Sequence, residues 1–274
     1  MAKRGTYFTF LGQSSRTLGY LMVDFDGGGD TPLALSREIE TGEMNRYRSR
    51  PNHFGACFTE PLSFEVHLIK DPAAVPVISR KISTEEFSRI AAWLTASEVP
   101  SWLTFDGTKK EGKQLSYLAV VRDIQPFEAG DLYGIRILFQ CDSPYAYSPL
   151  ITQHIEADST ASFETCSDLW NDYLYPAIHI HPSATGILTI TNETDGGRSL
   201  SVNVRAGNDI TIDCRSLIIR DTAGILTLLD LGMEDVDEIY WPRLLGKGAN
   251  KISLSGSGAI DIQYREPRKA GALS

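Results

Sequence analysis

Phe139-Gln-Cys-Asp-Ser-Pro-Tyr-Ala-Tyr-Ser-Pro149 divides this chain. Just before it, Tyr133, Ile135, Ile137, Phe139 and Cys141 alternate with Gly134, Arg136, Leu138 and Gln140. A period of two is the pattern of a strand with one buried face. Asp142-Ser143-Pro144 then stops the strand, because proline has no N–H for a ladder and biases its predecessor away from helix. Pro149 follows two tyrosines, and beyond it the sequence reads as strand and turn to the end. The upstream side carries a helix pattern and the downstream side carries none of any length. The stretch therefore reads as a joint between two domains, residues 1–148 and residues 149–274.

A chain of 274 residues suits two domains or one large all-β domain. With 42% hydrophobic and 22% charged residues it has the make-up of an ordinary globular protein. A net charge of -9 argues against a nucleic-acid binder, which shows a basic footprint. Cys57, Cys141, Cys166 and Cys214 lie far apart without zinc-type spacing, and three of them sit in apolar-alternating stretches, which reads as reduced, buried thiols and leaves one disulfide open as the alternative. The first residues carry charges with no apolar run behind them, so neither a signal peptide nor a membrane span is expected.

In the first part, strands are expected at Tyr7–Leu11, Tyr20–Phe25 and Leu62–Leu68. Thr31–Glu60 has weak periodicity and reads as a long loop-like excursion carrying Arg46, Arg48 and Arg50. Ser83-Thr-Glu-Glu86 is a capping box, and Phe87, Ile90, Ala91 and Leu94 follow at helical spacing, with Pro100 as the stop. Trp102–Phe105, Leu115–Ile124 and Leu132–Cys141 read as further strands. Lys109, Lys110 and Lys113 lie on a connection read as an exposed arm. This half is α+β, a mostly antiparallel sheet with one helix. The second half is a string of short strands separated by Asp-Gly, Gly-Asn and Ser-Gly turns, the pattern of a β-sandwich.

Motifs for chemistry are sparse. Asp24-Phe-Asp26-Gly-Gly-Gly-Asp30 lacks the third and closing ligands of a calcium loop and reads as turn chemistry. His179 and His181 share one strand face, but no third ligand is visible beside them. Asp235, Asp237 and Glu238 cluster in a loop-like stretch rather than across a cleft, as glycoside hydrolysis requires. No nucleophile elbow, phosphate loop or dinucleotide fingerprint is present. Trp170, Tyr173, Tyr175, Tyr240 and Trp241 either close the ends of the sandwich core or stack on sugars, and the core reading is favoured. Tyr240 and Trp241 are the candidate glycan contacts of the competing reading, a carbohydrate-binding module or lectin acting in host recognition.

Three stretches together resemble the distal tail protein of long-tailed, non-contractile (siphovirus-type) bacteriophages. They are Phe139–Tyr147, Trp170–Ile180 with its Tyr-Pro strand start, and the closing run of Gly246-Lys-Gly-Ala-Asn250, Gly256-Ser-Gly258 and Ile262–Arg265. In that family a glycine-asparagine turn of this kind precedes the last hairpin. The resemblance implies a ring-forming N-terminal domain and a galectin-like C-terminal sandwich hung outside the ring. It implies a homohexamer at the virion tail tip, assembled in the host cytoplasm, joining the tail tube protein to the tail-tip protein and to receptor-binding proteins. DNA passes through the centre of such a ring. No catalytic residue, cofactor, metal, sequence-specific nucleic-acid contact or membrane insertion is implied. Arg46, Arg48, Arg50, Lys109, Lys110 and Lys113 become the candidate ring or inter-ring contacts, since head-to-tail interfaces close into rings when the rotation fits. An acidic chain suits a channel wall that must not bind phosphates.

Overall fold

A computed structural model describes residues 7–23, 37–42, 53–58, 60–73, 80–106, 109–110, 113–128, 130–169, 172–226, 230 and 239–269. The chain divides into two compact units between Tyr147 and Ser148, the second ending at Arg268.

The first unit contains strands β1 (Phe8–Phe10), β2 (Gln13–Ser14), β3 (Tyr20–Val23), β4 (Arg37–Thr41), β5 (His53–Phe58) and β6 (Ser63–Lys70). Helix α1 (Thr84–Leu94) precedes β7 (Ser101–Phe105), β8 (Lys109–Lys110), β9 (Lys113–Gln114), β10 (Tyr117–Glu128), β11 (Leu132–Cys141) and β12 (Ala146–Tyr147). Seven strands form one antiparallel sheet in the order β2-β1-β7-β10-β11-β6-β3. The alternation read in β11 is the observed burial. Ile135, Ile137, Phe139 and Cys141 are buried while Arg136 is exposed.

The capping box forms as expected. The Glu86 amide donates to the Ser83 hydroxyl, and the Ser83 amide donates to the Glu86 carboxylate at 2.7 Å. Ile90 and Leu94 of α1 are buried in the sheet core, and Trp93 stacks on Phe8 at 5.7 Å while its indole N–H donates to the Phe10 carbonyl. The helix stops at Leu94, well ahead of Pro100. The Thr95 hydroxyl donates to the Ala91 carbonyl at 2.7 Å, and Thr95 leaves helical geometry there. The segment read as a loop over Thr31–Glu60 contains a strand pair instead, with β4 and β5 antiparallel. Among the described side chains of this ribbon Glu38, Ile39, Glu40, Thr41 and Phe54 are all exposed, so they leave no alternation to read.

The second unit contains β13 (Ile151–Ile155), β14 (Thr160–Cys166), β15 (Tyr173–Leu174), β16 (Ala177–Pro182), β17 (Gly186–Asn192), β18 (Arg198–Val204) and β19 (Ile210–Asp213). It continues with β20 (Ile218–Arg220), β21 (Leu244–Leu245), β22 (Lys247–Ser255), β23 (Gly258–Tyr264) and β24 (Pro267–Arg268). A five-stranded sheet, β13-β23-β16-β19-β20, faces a four-stranded sheet, β14-β22-β17-β18, and β15 pairs with β21. Their inward residues, among them Ile178, Ile180, Ile212, Ile260 and Ile262 against Leu188, Ile190, Val202 and Leu254, make one core. This is the β-sandwich expected from the turn spacing.

Gly246–Asn250 is not a turn. Most of it lies in β22, where Asn250 is fully buried. The Asn250 side-chain Oδ1 accepts from the Leu245 backbone N–H at 2.7 Å, and its Nδ2 donates to the Thr165 hydroxyl at 3.1 Å. Gly246 lies against backbone, and a Cβ added there would meet the Asp172 carbonyl at 2.7 Å. Gly246→Ala is expected to destabilise the second unit by about 1–3 kcal/mol, the usual penalty of overpacking. Chemical denaturation reads this, and an unchanged midpoint would show that the backbone gives way.

Among the described residues Cys141, Cys166 and Cys214 are free thiols. Burial pushes Cys141 and Cys214 up to about 12, whereas Cys166 is exposed. The side chain of Cys57 lies outside the described residues.

Candidate functional site

Two ribbons leave the first unit's sheet. In the β4–β5 pair, Ile39 lies opposite Ala56 and Glu40 opposite Gly55, with a register shift before Thr41. Ile39 is 61% exposed and Phe54 is 70% exposed. An isolated two-stranded ribbon is marginal in water, and this one also presents two large apolar side chains to solvent. Sequence reading missed both residues, because they follow no core period.

The arm expected around Lys109 is a second ribbon, β8–β9, with Lys110 directly opposite Lys113 and Lys109 opposite Gln114. The Gln114 amide donates to the Phe105 carbonyl at 2.5 Å and roots this ribbon on β7. The side chains of Lys109, Lys110 and Lys113 lie outside the described residues, as do Arg46, Arg48 and Arg50 altogether. Trp170, the Asp24–Asp30 turn and the acidic group Asp235, Asp237 and Glu238 also fall outside them.

In the second unit the aromatic residues divide. Tyr240 is 5% exposed, its hydroxyl donates to Asp195 at 3.0 Å, and the Arg198 guanidinium covers its ring at 4.5 Å. Such a ring offers no open face to a sugar. Trp241 packs half-buried against the sandwich core, and the Arg243 guanidinium lies 3.8 Å over the Tyr173 ring. Tyr175 is 47% exposed.

Asp195 anchors this end of the sandwich, taking both Arg243 Nε and Nη2 at 2.9 Å. The Arg243 guanidinium, helped by the Tyr240 hydroxyl, holds the Asp195 carboxyl below its ordinary range. A carboxyl depressed in the folded state adds stability above its unfolded value of about 3.9, and that stability is lost as pH falls through the folded value. Asp195→Asn is expected to lower stability at neutral pH and to flatten the acid limb of the pH–stability curve below about pH 4. Urea titrations at a series of pH values measure this. An Asp195→Asn curve parallel to the wild-type curve would remove Asp195 from the acid response.

The acidity is unevenly placed. Ser148–Arg268 carries 17 of the 35 Asp and Glu residues but 9 of the 26 Lys and Arg, a net -8 of the chain's -9. The first unit is close to neutral, so the overall charge gives no support to a phosphate-repelling channel wall built from it. Among the described residues no helix is long and apolar enough to cross a membrane.

A family model described as "Phage tail protein N-terminal domain" matches residues 3–143, and one described as "Phage tail C-terminal domain" matches residues 145–264. No curated protein matches the chain. Among solved structures, the Dit (gp 19.1) protein of phage SPP1, described as a paradigm of hub adsorption apparatus in Gram-positive infecting phages, superposes with a TM-score of 0.60. Its identity is 14%, over 94% of this chain and 98% of that one. A chain of the phage P2 baseplate in its activated conformation with Ca gives a TM-score of 0.57 at 10% identity, over 96% of this chain and 98% of that one. The same baseplate with Sr gives 0.54 at 13% identity, over 94% and 97%. This chain belongs to the phage tail proteins whose N- and C-terminal domains the two family models describe, and it has the fold of a distal tail protein.

Proposed function

We propose that this protein is a structural ring of the tail tip, a homohexamer built through its first unit, with a central passage for DNA. The observation that carries the reading is the β4–β5 ribbon, a bare strand pair with Ile39 and Phe54 turned to solvent. In a tail protein of this fold, a second copy is the natural cover for such a ribbon. Specific interfaces bury on the order of 1,200–2,000 Å², and an arm laid on a neighbour supplies area that small domain bodies lack.

The two units are separate domains in this reading, the first for assembly and the second for contact with adjoining tail-tip or receptor-binding components. The ring joins the tail tube to those components and catalyses nothing. Purified protein should leave bacterial cell wall intact, and wall solubilisation lost in an Asp235→Ala, Asp237→Ala, Glu238→Ala triple variant would make it an enzyme. Negative-stain images of the purified protein should show six-fold rings with an open centre. A field of single compact particles at high concentration would sink the ring.

A further inference from the structure

His179 and His181 gain in the fold the neighbours that sequence did not supply. Three of the five histidines stand on the outer face of the five-stranded sheet. Asp261 of β23 lies in register between His154 of β13 and His179 of β16. His181 sits two residues further along β16, diagonal to Asp261. His154 Nδ1 is 2.6 Å from Asp261 Oδ1, and His181 Nε2 is 3.4 Å from Asp261 Oδ2. The far nitrogens meet acids as well, His154 Nε2 with Glu156 at 3.1 Å and His181 Nδ1 with Asp209 at 3.2 Å. His179 Nδ1 is 3.1 Å from the Thr211 hydroxyl. Beyond Thr211 the row ends at Arg220 of β20.

The result is a chain of acid, imidazole, acid, imidazole and acid across three strands. In this conformation the groups pair with one another, and among the described residues no three such donors converge on one point. The two imidazoles are open to solvent, however. The side chains of His154 and His181 are 52% and 43% exposed, and that of Asp261 is 28% exposed. Rotation of an exposed imidazole moves nothing in the core.

We propose that His154, His181 and Asp261 bind a divalent cation of the zinc class, with Glu156 and Asp209 orienting the two imidazoles. Imidazole nitrogen with one carboxylate suits Zn2+ and its late first-row neighbours, whereas Ca2+ and Mg2+ take all-oxygen shells. A hydrogen bond donated by the far ring N–H to a carboxylate is the usual support of a metal-bound histidine. A metal-bound imidazole nitrogen carries no proton, so binding weakens in acid. The second unit's net -8 draws cations toward it. A bound ion ties β13, β23 and β16 together on the face opposite the core.

Isothermal titration of the full chain with Zn2+ at pH 7.5 tests this, with Ca2+ and Mg2+ as controls. The expected result is one Zn2+ per chain. His154→Gln and His181→Gln should each raise the Kd by at least about tenfold, the lower end of what even supporting residues contribute. His67→Gln, in the first unit, and Cys166→Ser should leave it unchanged. Unfolding temperatures of the metal-free variants equal to wild type show that the fold is kept. Absence of Zn2+ binding, binding unmoved by His154→Gln and His181→Gln, or equal binding of Ca2+ would overturn the proposal.

Discussion

Glu266→Ala should lower the stability of the second unit by about 3–5 kcal/mol, the cost of leaving a buried charge without its partner. Glu266 is 3% exposed and Arg268 is 6% exposed. One carboxylate oxygen accepts from the Cys166 amide at 2.7 Å, and the other accepts from Arg268 Nη2 at 2.6 Å. Arg268 Nη1 donates back to the Cys166 carbonyl at 2.6 Å. The Glu266 amide donates to the Ser148 hydroxyl at 2.9 Å, so the same residue also holds the first residue of the unit. Removing the carboxylate leaves the guanidinium buried, with Asp168, at 3.8 Å, as its remaining acidic partner among the described residues. For a unit of this size the loss corresponds to roughly 10–20 °C in Tm. In an Arg268→Ala background the same substitution should cost less by about 0.5–3 kcal/mol, the range of coupling between residues in contact. Additive losses in that cycle, or single losses under about 1 kcal/mol, would show that water reaches the pair.

Ile39→Asp with Phe54→Asp should break the ring into single chains while leaving the fold of each unit intact. Both side chains are exposed in the isolated chain, so the substitutions remove no core contact. In an assembly that buries them, each aspartate faces a desolvation cost of several kcal/mol. Repeated at every interface of a closed ring, that loss exceeds what a stable contact can absorb. Sedimentation velocity separates the outcomes. A double variant that stays assembled at wild-type stoichiometry would take the β4–β5 ribbon out of the interface.

The sequence made the buried strands and the capped helix legible, because each obeys a period set by one buried face. β11 and the Ser83–Glu86 capping box were readable residue by residue. β4 and β5 were not, since their described apolar side chains, Ile39 and Phe54, are exposed and follow no core period. β14 carries no readable alternation for a related reason. Only Phe163 among its residues is large and apolar, and the rest are small or polar. Asn250 was placed in a turn by the family resemblance, with Gly246 and Gly248 a few residues upstream. Its burial depends on Leu245 and Thr165, which only the fold brings alongside. His154 and Asp261 are 107 residues apart in sequence, so their pairing is invisible until β23 lies between β13 and β16.

The native mass of the purified full-length protein in solution tests the ring most directly. Light scattering coupled to size exclusion, at several protein concentrations, should give six times the 30.3 kDa chain mass for wild type. A mass of one chain at every concentration would contradict the account.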